Sequence, residues 1–216
     1  MSGHHQRRAA GGGGGGLTTL STQYETTTVT SEQLSVSGQV ASGDLILVYM
    51  SNSEGDAGGP STPTGFTSVG NEGVVDEWGF RTSFKVSDGT EGNIAYQNGT
   101  AQGTAVVLRG DVPITGCSTY AETSAISSSQ QDATITGATL PTLITGWTSN
   151  SGGNASGETF SPTEDDIYDT GATRHVHHAW YKFYNEDDTL DTTVSTDRSN
   201  SSGSEAIASA VLNLTY

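Results

Sequence analysis

An internal repeat constrains the fold of this chain more than any other feature of its sequence. The segment Tyr49–Ala57 (YMSNSEGDA) recurs as Trp147–Ala155 (WTSNSGGNA), and each copy follows an apolar stretch. Further along, Ser83–Asp88 (SFKVSD) recurs as Trp180–Asn185 (WYKFYN). A period of about 100 residues is too long for a solenoid repeat and suits two similar β-structured halves.

Apolar residues in both halves occur in the short runs and alternations that are typical of strands. Leu45–Val48 is expected to form a strongly buried strand, and turn residues such as Asp88-Gly89, interpreted as a hairpin turn, separate the strands. No segment has the period of an amphipathic helix. We therefore predict an all-β sandwich over residues 17–216, with pseudo-repeated halves at about 17–112 and 113–216. Two independent β-domains are the alternative.

Residues 1–16 are predicted to form a flexible N-terminal arm. Gly11–Gly16 is a run of glycines, which by itself holds neither a helix nor a strand. The arm contains Arg7 and Arg8 and no acidic residue. Two arginines on a flexible tether can reach an acidic neighbouring subunit, so these two residues are the candidate assembly residues. A tail without a function is the alternative.

The charge of the chain excludes some classes of partner. The net charge is −16, and two of the eight basic residues lie in the arm, which leaves six against 24 acidic residues from Leu17 onward. Such a surface repels phosphates, so we expect no nucleic-acid partner.

No apolar run approaches membrane-spanning length, so we expect no membrane partner. No apolar segment follows the basic residues as in a signal peptide, and synthesis in the host cytoplasm is expected.

The sequence carries no recognisable catalytic motif. Cys117 is the single cysteine, which excludes an intrachain disulfide, and it is expected to pack as a small hydrophobic residue. The Gly-x-Ser-x-Gly turn of serine hydrolases is missing, and no pair of carboxylates stands out from the many acidic residues. We therefore predict that the protein is not an enzyme and has no cofactor.

Three groups of residues are candidates for binding. His175 and His177 would share one face of a strand, a geometry that can hold a transition metal ion. The acidic groups 164–166 and 186–188 can bind Ca²⁺, although their spacing does not match an EF-hand. Trp78, beside two acidic residues, is the candidate for an exposed ring that stacks on a sugar. The alternatives are a polar strand face, solvated loop charges and a core aromatic ring.

Four segments of the first half resemble, in order, a pattern found in bacteriophage virion proteins. They are Gly43–Tyr49 (GDLILVY), Thr62–Thr67 (TPTGFT), Phe84–Glu91 (FKVSDGTE) and Ala105–Gly110 (AVVLRG). The corresponding pattern reads GDLLVAF, PPAGWT, KVADGTE and AAVALRG, and Phe66 stands where it usually has Trp. The matches cover most of residues 37–110, and the second half fits the same plan more loosely.

This resemblance implies a jelly-roll-type β-sandwich with a structural role and no catalytic residues to carry over. We therefore predict a virion protein of a tailed phage, namely a capsid decoration or cement protein anchored by its arm. The expected partners are other virion proteins, such as the major capsid protein or tail proteins, and further copies of the chain in a homotrimer. The alternative is a tail or fibre adhesin that binds a host-surface glycan.

Overall fold

The sequence folds into β-structure throughout the part that the structure describes. A computed structural model describes residues 16–26, 33–52, 60–69, 73–75, 78–95, 101–126, 130–134, 138–150, 158–161, 166–169, 176–190, 193–198 and 205–216. Every regular element in these ranges is a strand and none is a helix, which confirms the predicted all-β class. Accordingly, these ranges contain no helix long and apolar enough to cross a membrane.

Sixteen strands occur within the described ranges. In chain order they are β1 (Leu20–Thr26), β2 (Gln33–Ser35), β3 (Ser42–Asn52), β4 (Thr67–Ser68), β5 (Gly73–Val75), β6 (Trp78–Asp88), β7 (Asn93–Ala95), β8 (Ala101–Gly110), β9 (Gly116–Ile126), β10 (Gln130–Thr134), β11 (Thr142–Asn150), β12 (Glu158–Ser161), β13 (Asp166–Asp169), β14 (Val176–Tyr184), β15 (Thr193–Arg198) and β16 (Glu205–Thr215).

The described strands form two large and two small sheets, and all of their pairings are antiparallel. The first large sheet has the order β1-β8-β3-β6-β4, with β5 also paired to β6. The second large sheet has the order β13-β14-β11-β16-β9. The small sheets are β2 paired with β7, and β10-β15-β12.

The two large sheets pack face to face. Their shared apolar cluster, which we call the central core, combines Leu47 and Phe84 of the first sheet with Leu143, Tyr181 and Leu212 of the second. Since neighbouring residues of a strand point to opposite faces, only alternate residues of each strand enter this cluster. The two large sheets therefore bury one continuous apolar cluster between them.

The outer faces of the large sheets are buried by two further clusters. On the first sheet, Ile46 and Val48 of β3 pack with Leu34 of β2 and Ile94 of β7. On the second sheet, the cluster contains Ile144, Tyr184 and Val211, with Leu140 and Leu190 packed against it. Strand β3 is thus covered on both faces, which explains why its sequence is a continuous apolar run and not an alternation.

Two hydroxyl pairs cross the central core. The Tyr49 hydroxyl is hydrogen-bonded to Thr145 Oγ1, and Thr22 Oγ1 lies 3.0 Å from the Tyr181 hydroxyl. Burial raises the pKa of Tyr49, so its phenol stays protonated at all ordinary pH values. A buried hydroxyl needs a partner, and these pairs therefore fix how the two large sheets sit on each other.

Replacing Tyr49 with phenylalanine is expected to lower the free energy of unfolding by about 1 kcal/mol, because it removes the hydrogen bond and keeps the ring. Urea unfolding followed by fluorescence measures this loss. Tyr24→Phe is the control, since Tyr24 is a half-buried tyrosine that packs on the outer cluster of the first sheet. Equal stabilities of the Tyr49 variant and the wild type would show that the hydroxyl pair does not stabilise the fold.

One predicted local feature is wrong. Asp88-Gly89 does not form a hairpin, because β6 pairs with β3 whereas β7 pairs with β2. The turn instead carries the chain from a large sheet to a small one, with Gly89 at a φ of 89°.

Candidate functional site

The structure does not describe the side chains of most of the site residues that the sequence predicts. Arg7, Arg8 and His175 lie outside the described residues. His177 belongs to β14 and pairs with Ser149, and Trp78 begins β6 and pairs with Val75; their side chains are not described. The assembly, metal-binding and sugar-stacking roles of these residues therefore stay predictions.

The acidic turn Asn185–Asp188 uses its polar side chains to hold its own backbone. Asp188 Oδ2 accepts a hydrogen bond from Asn185 N at 2.8 Å, and Asn185 Oδ1 accepts one from Asp187 N at 2.9 Å. Such side-chain bonds to nearby amides are typical of turns. Residues 164 and 165 of the other acidic group lie outside the described residues. Within the described ranges, no group of three His, Cys, Asp or Glu residues is placed to hold a metal ion.

The point where the arm enters the fold is fixed by burial. Leu17, the first residue after the predicted arm, is fully buried and belongs to the central core. It packs beside Gly110, where an added Cβ would collide with the leucine side chain. The arm is therefore attached directly to the apolar layer that joins the two large sheets.

Asp111 reinforces this attachment from the surface. Its carboxylate accepts hydrogen bonds from Thr18 N at 2.9 Å, from the Thr18 hydroxyl and from Thr19 N at 3.3 Å. Burial alone would raise the pKa of Asp111, but these donors outweigh it and lower the pKa. Sequence reasoning missed this role, because Asp111 lies in residues 110–116, which the sequence indicates only as a linker between the two halves.

Gly16, the last residue of the predicted arm, lies close to the Glu186 carboxylate and the Tyr216 hydroxyl. A Cβ added to Gly16 would lie 2.6 Å from the Tyr216 hydroxyl and 2.7 Å from Glu186 Oε2, so the chain passes close to both groups. Glycine permits this approach because it has no side chain. Leu17, Asp111, Glu186 and Tyr216 together define what we call the arm root.

Two of the four segments that resemble the virion-protein pattern are joined by a charged pair of side chains. Asp44, from the GD segment, is 1% exposed and receives two hydrogen bonds from Arg109, from the RG segment: Nε to Oδ1 and Nη2 to Oδ2, both at 2.7 Å. Ala41 N also donates to Asp44 Oδ2 at 2.7 Å. A bidentate pair of this kind is among the stronger polar contacts in proteins. The motif therefore contains a clamp across strands β3 and β8 that the sequence analysis did not identify.

A second motif segment forms a compact turn around Glu91. Its carboxylate binds Lys85 Nζ at 2.8 Å and accepts hydrogen bonds from Ser87 Oγ at 2.5 Å and Asp88 N at 3.2 Å. Burial alone would raise the pKa of Glu91, but the bonds from Lys85 and Ser87 lower it to about 2. The carboxylate is therefore ionised at any ordinary pH and held in one orientation.

This turn predicts a specific loss of stability in acid. Because its folded pKa of about 2 lies below the ordinary value of 4.5, Glu91 stabilises the fold fully above about pH 4.5 and loses this contribution as the pH falls through about 2. The contribution is about 2–3 kcal/mol after allowance for the partly exposed Lys85. Urea midpoints of Glu91→Gln should fall less steeply than those of the wild type between about pH 5 and 2.5. Glu186→Gln is the control, and a slope of Glu91→Gln equal to the wild-type slope would contradict the assignment.

Cys117 packs as the sequence predicts. It lies against the central core, and burial raises the pKa of its thiol to about 12. A thiol with such a pKa is not ionised at neutral pH and is a poor nucleophile.

Comparisons with known proteins do not extend this picture: no protein-family model, curated protein or solved structure matches the chain.

Proposed function

We propose that this chain is a structural protein of a tailed-phage virion, serving as a capsid decoration or cement protein anchored by its N-terminal arm. The observation that carries the proposal is a strand order that occurs twice in the chain, in an arrangement typical of jelly rolls. The order of the virion-like motifs in the sequence adds to it.

The strand order supports two jelly-roll halves. In the first half, β1-β8-β3-β6 lie in one sheet and β2-β7 in another. Adding eight to each number gives β9-β16-β11-β14 and β10-β15, which are the neighbours in the other two sheets. Eight strands with the first beside the last, and the second beside the seventh, form a jelly roll, an architecture used in viral capsid and lectin domains. One difference is that β4 pairs with β6, whereas β12 pairs with β15.

The pairing registers support the same duplication. Leu45 pairs with Val86 and Leu108 in the first half, and Leu143 pairs with Phe183 and Leu212 in the second. Val86 and Phe183 occupy the same position in the repeated segments Ser83–Asp88 and Trp180–Asn185, and Leu45 and Leu143 each lie four residues before the other repeated segment begins. Agreement between the sequence repeat and the strand register at these positions is expected of two halves that descend from one unit.

A bulge recurs at the same place in both halves. In β1 an extra residue, Gln23, lies between the paired residues Thr22 and Tyr24. In β9 the extra residue is Tyr120, between the paired residues Thr119 and Ala121. The surrounding sequences, STQYET and STYAET, align without a gap. Bulges on edge strands are conserved features that discourage uncontrolled pairing with other chains, which suits a protein that assembles through defined contacts.

The roles of the motif residues favour a structural over a catalytic protein. Asp44 and Arg109 clamp two strands, and Lys85 and Glu91 hold a turn. These contacts stabilise the sandwich and leave the conspicuous charged residues of the motif engaged with one another. A rigid scaffold of this kind is what a particle needs from a surface component.

The arm root supports anchoring through the arm. Leu17 packs in the central core, and Asp111 binds the backbone of Thr18. A partner that holds the arm would therefore hold the sandwich as well. The arm carries Arg7 and Arg8, whereas the remainder of the chain is strongly acidic. Opposite charges favour binding of the arm to a neighbouring copy, which supports a homo-oligomer, and a homotrimer is the form that we propose.

Light scattering tests the arm directly. We expect a trimer for the full chain and a monomer for a variant that begins at Leu17. The double variant Arg7→Ala/Arg8→Ala should weaken the trimer if charge drives assembly, and added salt should have the same effect on the wild type. A monomer with and without the arm would refute arm-mediated self-assembly, and a trimer without the arm would place the interface in the sandwich.

Particle composition tests the virion assignment itself. Particles banded from a culture that produces the chain should contain it in a fixed ratio to the major capsid protein by peptide mass spectrometry. Its absence from washed particles would refute a structural role in the virion. The adhesin alternative differs in one respect: removal of the arm should leave glycan binding intact, whereas a cement protein should lose its place on the capsid.

A further inference from the structure

A small pocket lies in the first half of the chain, beside the apolar cluster on the outer face of the first large sheet. Its volume is about 170 Å³, and it is lined by residues of the segment Thr62–Thr67, of the turn around Glu91 and of strand β7. The residues used below are Pro63, Phe66, Lys85, Glu91, Asn93 and Ile94. A drug-sized ligand needs roughly 300 Å³ or more, so this pocket has room for one small ring.

One side of the pocket is apolar. Ile94 and Pro63 are buried, and Phe66 is half-buried against the outer apolar cluster of the first sheet. Ile94 belongs to this cluster and Phe66 packs against it, so these two residues give the pocket a fixed apolar wall, to which Pro63 adds. The carbon-bound hydrogens of a sugar ring make favourable contacts with such a wall, and aromatic rings are the most effective part of it.

The other side of the pocket is polar and electrically balanced. Glu91 provides a carboxylate oriented by three donors, and Lys85 an ammonium group paired with it at 2.8 Å. Asn93 uses one amide N–H to donate to Gln33 Oε1 at 2.9 Å, which leaves its carbonyl oxygen as an acceptor. The pocket therefore offers both donors and acceptors and carries no net charge.

We propose that this pocket binds one neutral pyranose residue, such as the exposed end of a glycan. The ring would lie against Phe66 and Pro63, and adjacent hydroxyls would bridge the Lys85–Glu91 pair and the Asn93 amide. An acidic sugar is disfavoured by the fixed Glu91 carboxylate, and a cationic ligand by Lys85. This inference does not depend on the virion assignment, which is tested by particle composition and not by sugar binding.

Nuclear magnetic resonance on the full chain tests the proposal. We would titrate methyl pyranosides of glucose, galactose, mannose and N-acetylglucosamine, with glucuronate as the charged comparison, while recording backbone amide shifts. A single sugar in a small pocket binds with a dissociation constant on the order of millimolar, so titration to about 50 mM is sufficient. We expect at least one neutral sugar to shift the amides of Glu91–Ala95 in a saturable way.

A matched pair of variants separates binding from structure. Asn93→Ala should raise the dissociation constant of the sugar at least about fivefold, which is the change expected from the loss of one hydrogen bond. Gln33→Ala removes the same Asn93–Gln33 hydrogen bond but not a pocket-lining residue, so binding should be unchanged. Lys85→Gln should also weaken binding, whereas Lys182→Gln on β14 should not.

Three results would overturn the proposal. The first is the absence of saturable shifts at Glu91–Ala95 with every neutral sugar. The second is binding of glucuronate alone, which would assign the pocket to anionic ligands. The third is an equal loss of binding in Asn93→Ala and Gln33→Ala, which would show that Asn93 acts only through the strand pairing.

Discussion

Replacing Gly43 with alanine should destabilise the protein by about 3 kcal/mol or more. Gly43 has a φ of 87°, a conformation that costs an alanine about 1 kcal/mol or more. The added Cβ would also lie 2.6 Å from Pro113 Cβ and 2.9 Å from Pro113 Cα, and forced overpacking costs about 1–3 kcal/mol. Since Ile114 N donates to Gly43 O at 2.9 Å, moving the backbone apart would lose a hydrogen bond as well.

Gly38→Ala is the matched control for this prediction. Gly38 has a similar φ of 73°, but an added Cβ there meets no atom within 4 Å. It should therefore lose only about 1 kcal/mol, the cost of the backbone conformation. Urea unfolding of the wild type, Gly43→Ala and Gly38→Ala at neutral pH measures both losses of stability. Equal losses in the two variants would show that contact with Pro113 does not matter and that the linker between the halves is loosely packed.

The Gly43 contact illustrates what the sequence can and cannot predict. Residues 42–44 have the composition of a turn, because glycine and aspartate favour turns. The structure places them at the start of β3, where the pairing register with β6 shifts between Ser42 and Leu45. Nothing local indicates that Pro113, 70 positions later, closes over this segment. The irregular backbone follows from local chemistry, whereas its partner depends on where the linker between the halves runs.

The same distinction applies to the sheets. The apolar run at Leu45–Val48 predicts a buried strand, and the structure buries both of its faces. The sequence does not reveal that one face packs on the other half and the opposite face on β2 and β7. Likewise, Asp88-Gly89 has the composition of a hairpin turn, yet β7 pairs with β2 because Ile94 joins Leu34 in the outer cluster.

The candidate site was predictable only in part. The composition of residues 1–16 identifies the arm, but its attachment through Leu17 and Asp111 depends on contacts between distant residues. Lys85 and Glu91 lie in a motif that the sequence displays, so their importance could be anticipated. That Asn93 and Phe66 join them around one pocket could not, because the loop and strand that carry them meet only in the folded chain.

Replacing Arg109 with methionine should lower the free energy of unfolding by about 2–3 kcal/mol. Asp44 is almost fully buried, and loss of the guanidinium would leave its carboxylate without its charged partner. Breaking a buried pair from one side typically costs about 3–5 kcal/mol; we expect a smaller loss because the side chain of Arg109 is 41% exposed and water can reach the vacated position. Arg109→Lys should recover part of the loss, since it restores the charge but not the two parallel hydrogen bonds.

A double-mutant cycle with Asp44→Asn distinguishes a charge clamp from simple packing. If the loss in Arg109→Met arises from an unpaired carboxylate, adding Asp44→Asn should cost less in that background than in the wild type, with a coupling energy of about 1–2 kcal/mol. The amide oxygen of the Asp44→Asn variant can still accept the hydrogen bond that Ala41 N donates, so the turn before β3 should persist. Asp187→Asn, an exposed position, should change stability by no more than about 0.5 kcal/mol. Additive losses would mean that Arg109 stabilises the fold through its hydrocarbon stem, and the motif pair would then be a packing contact without an ionic role.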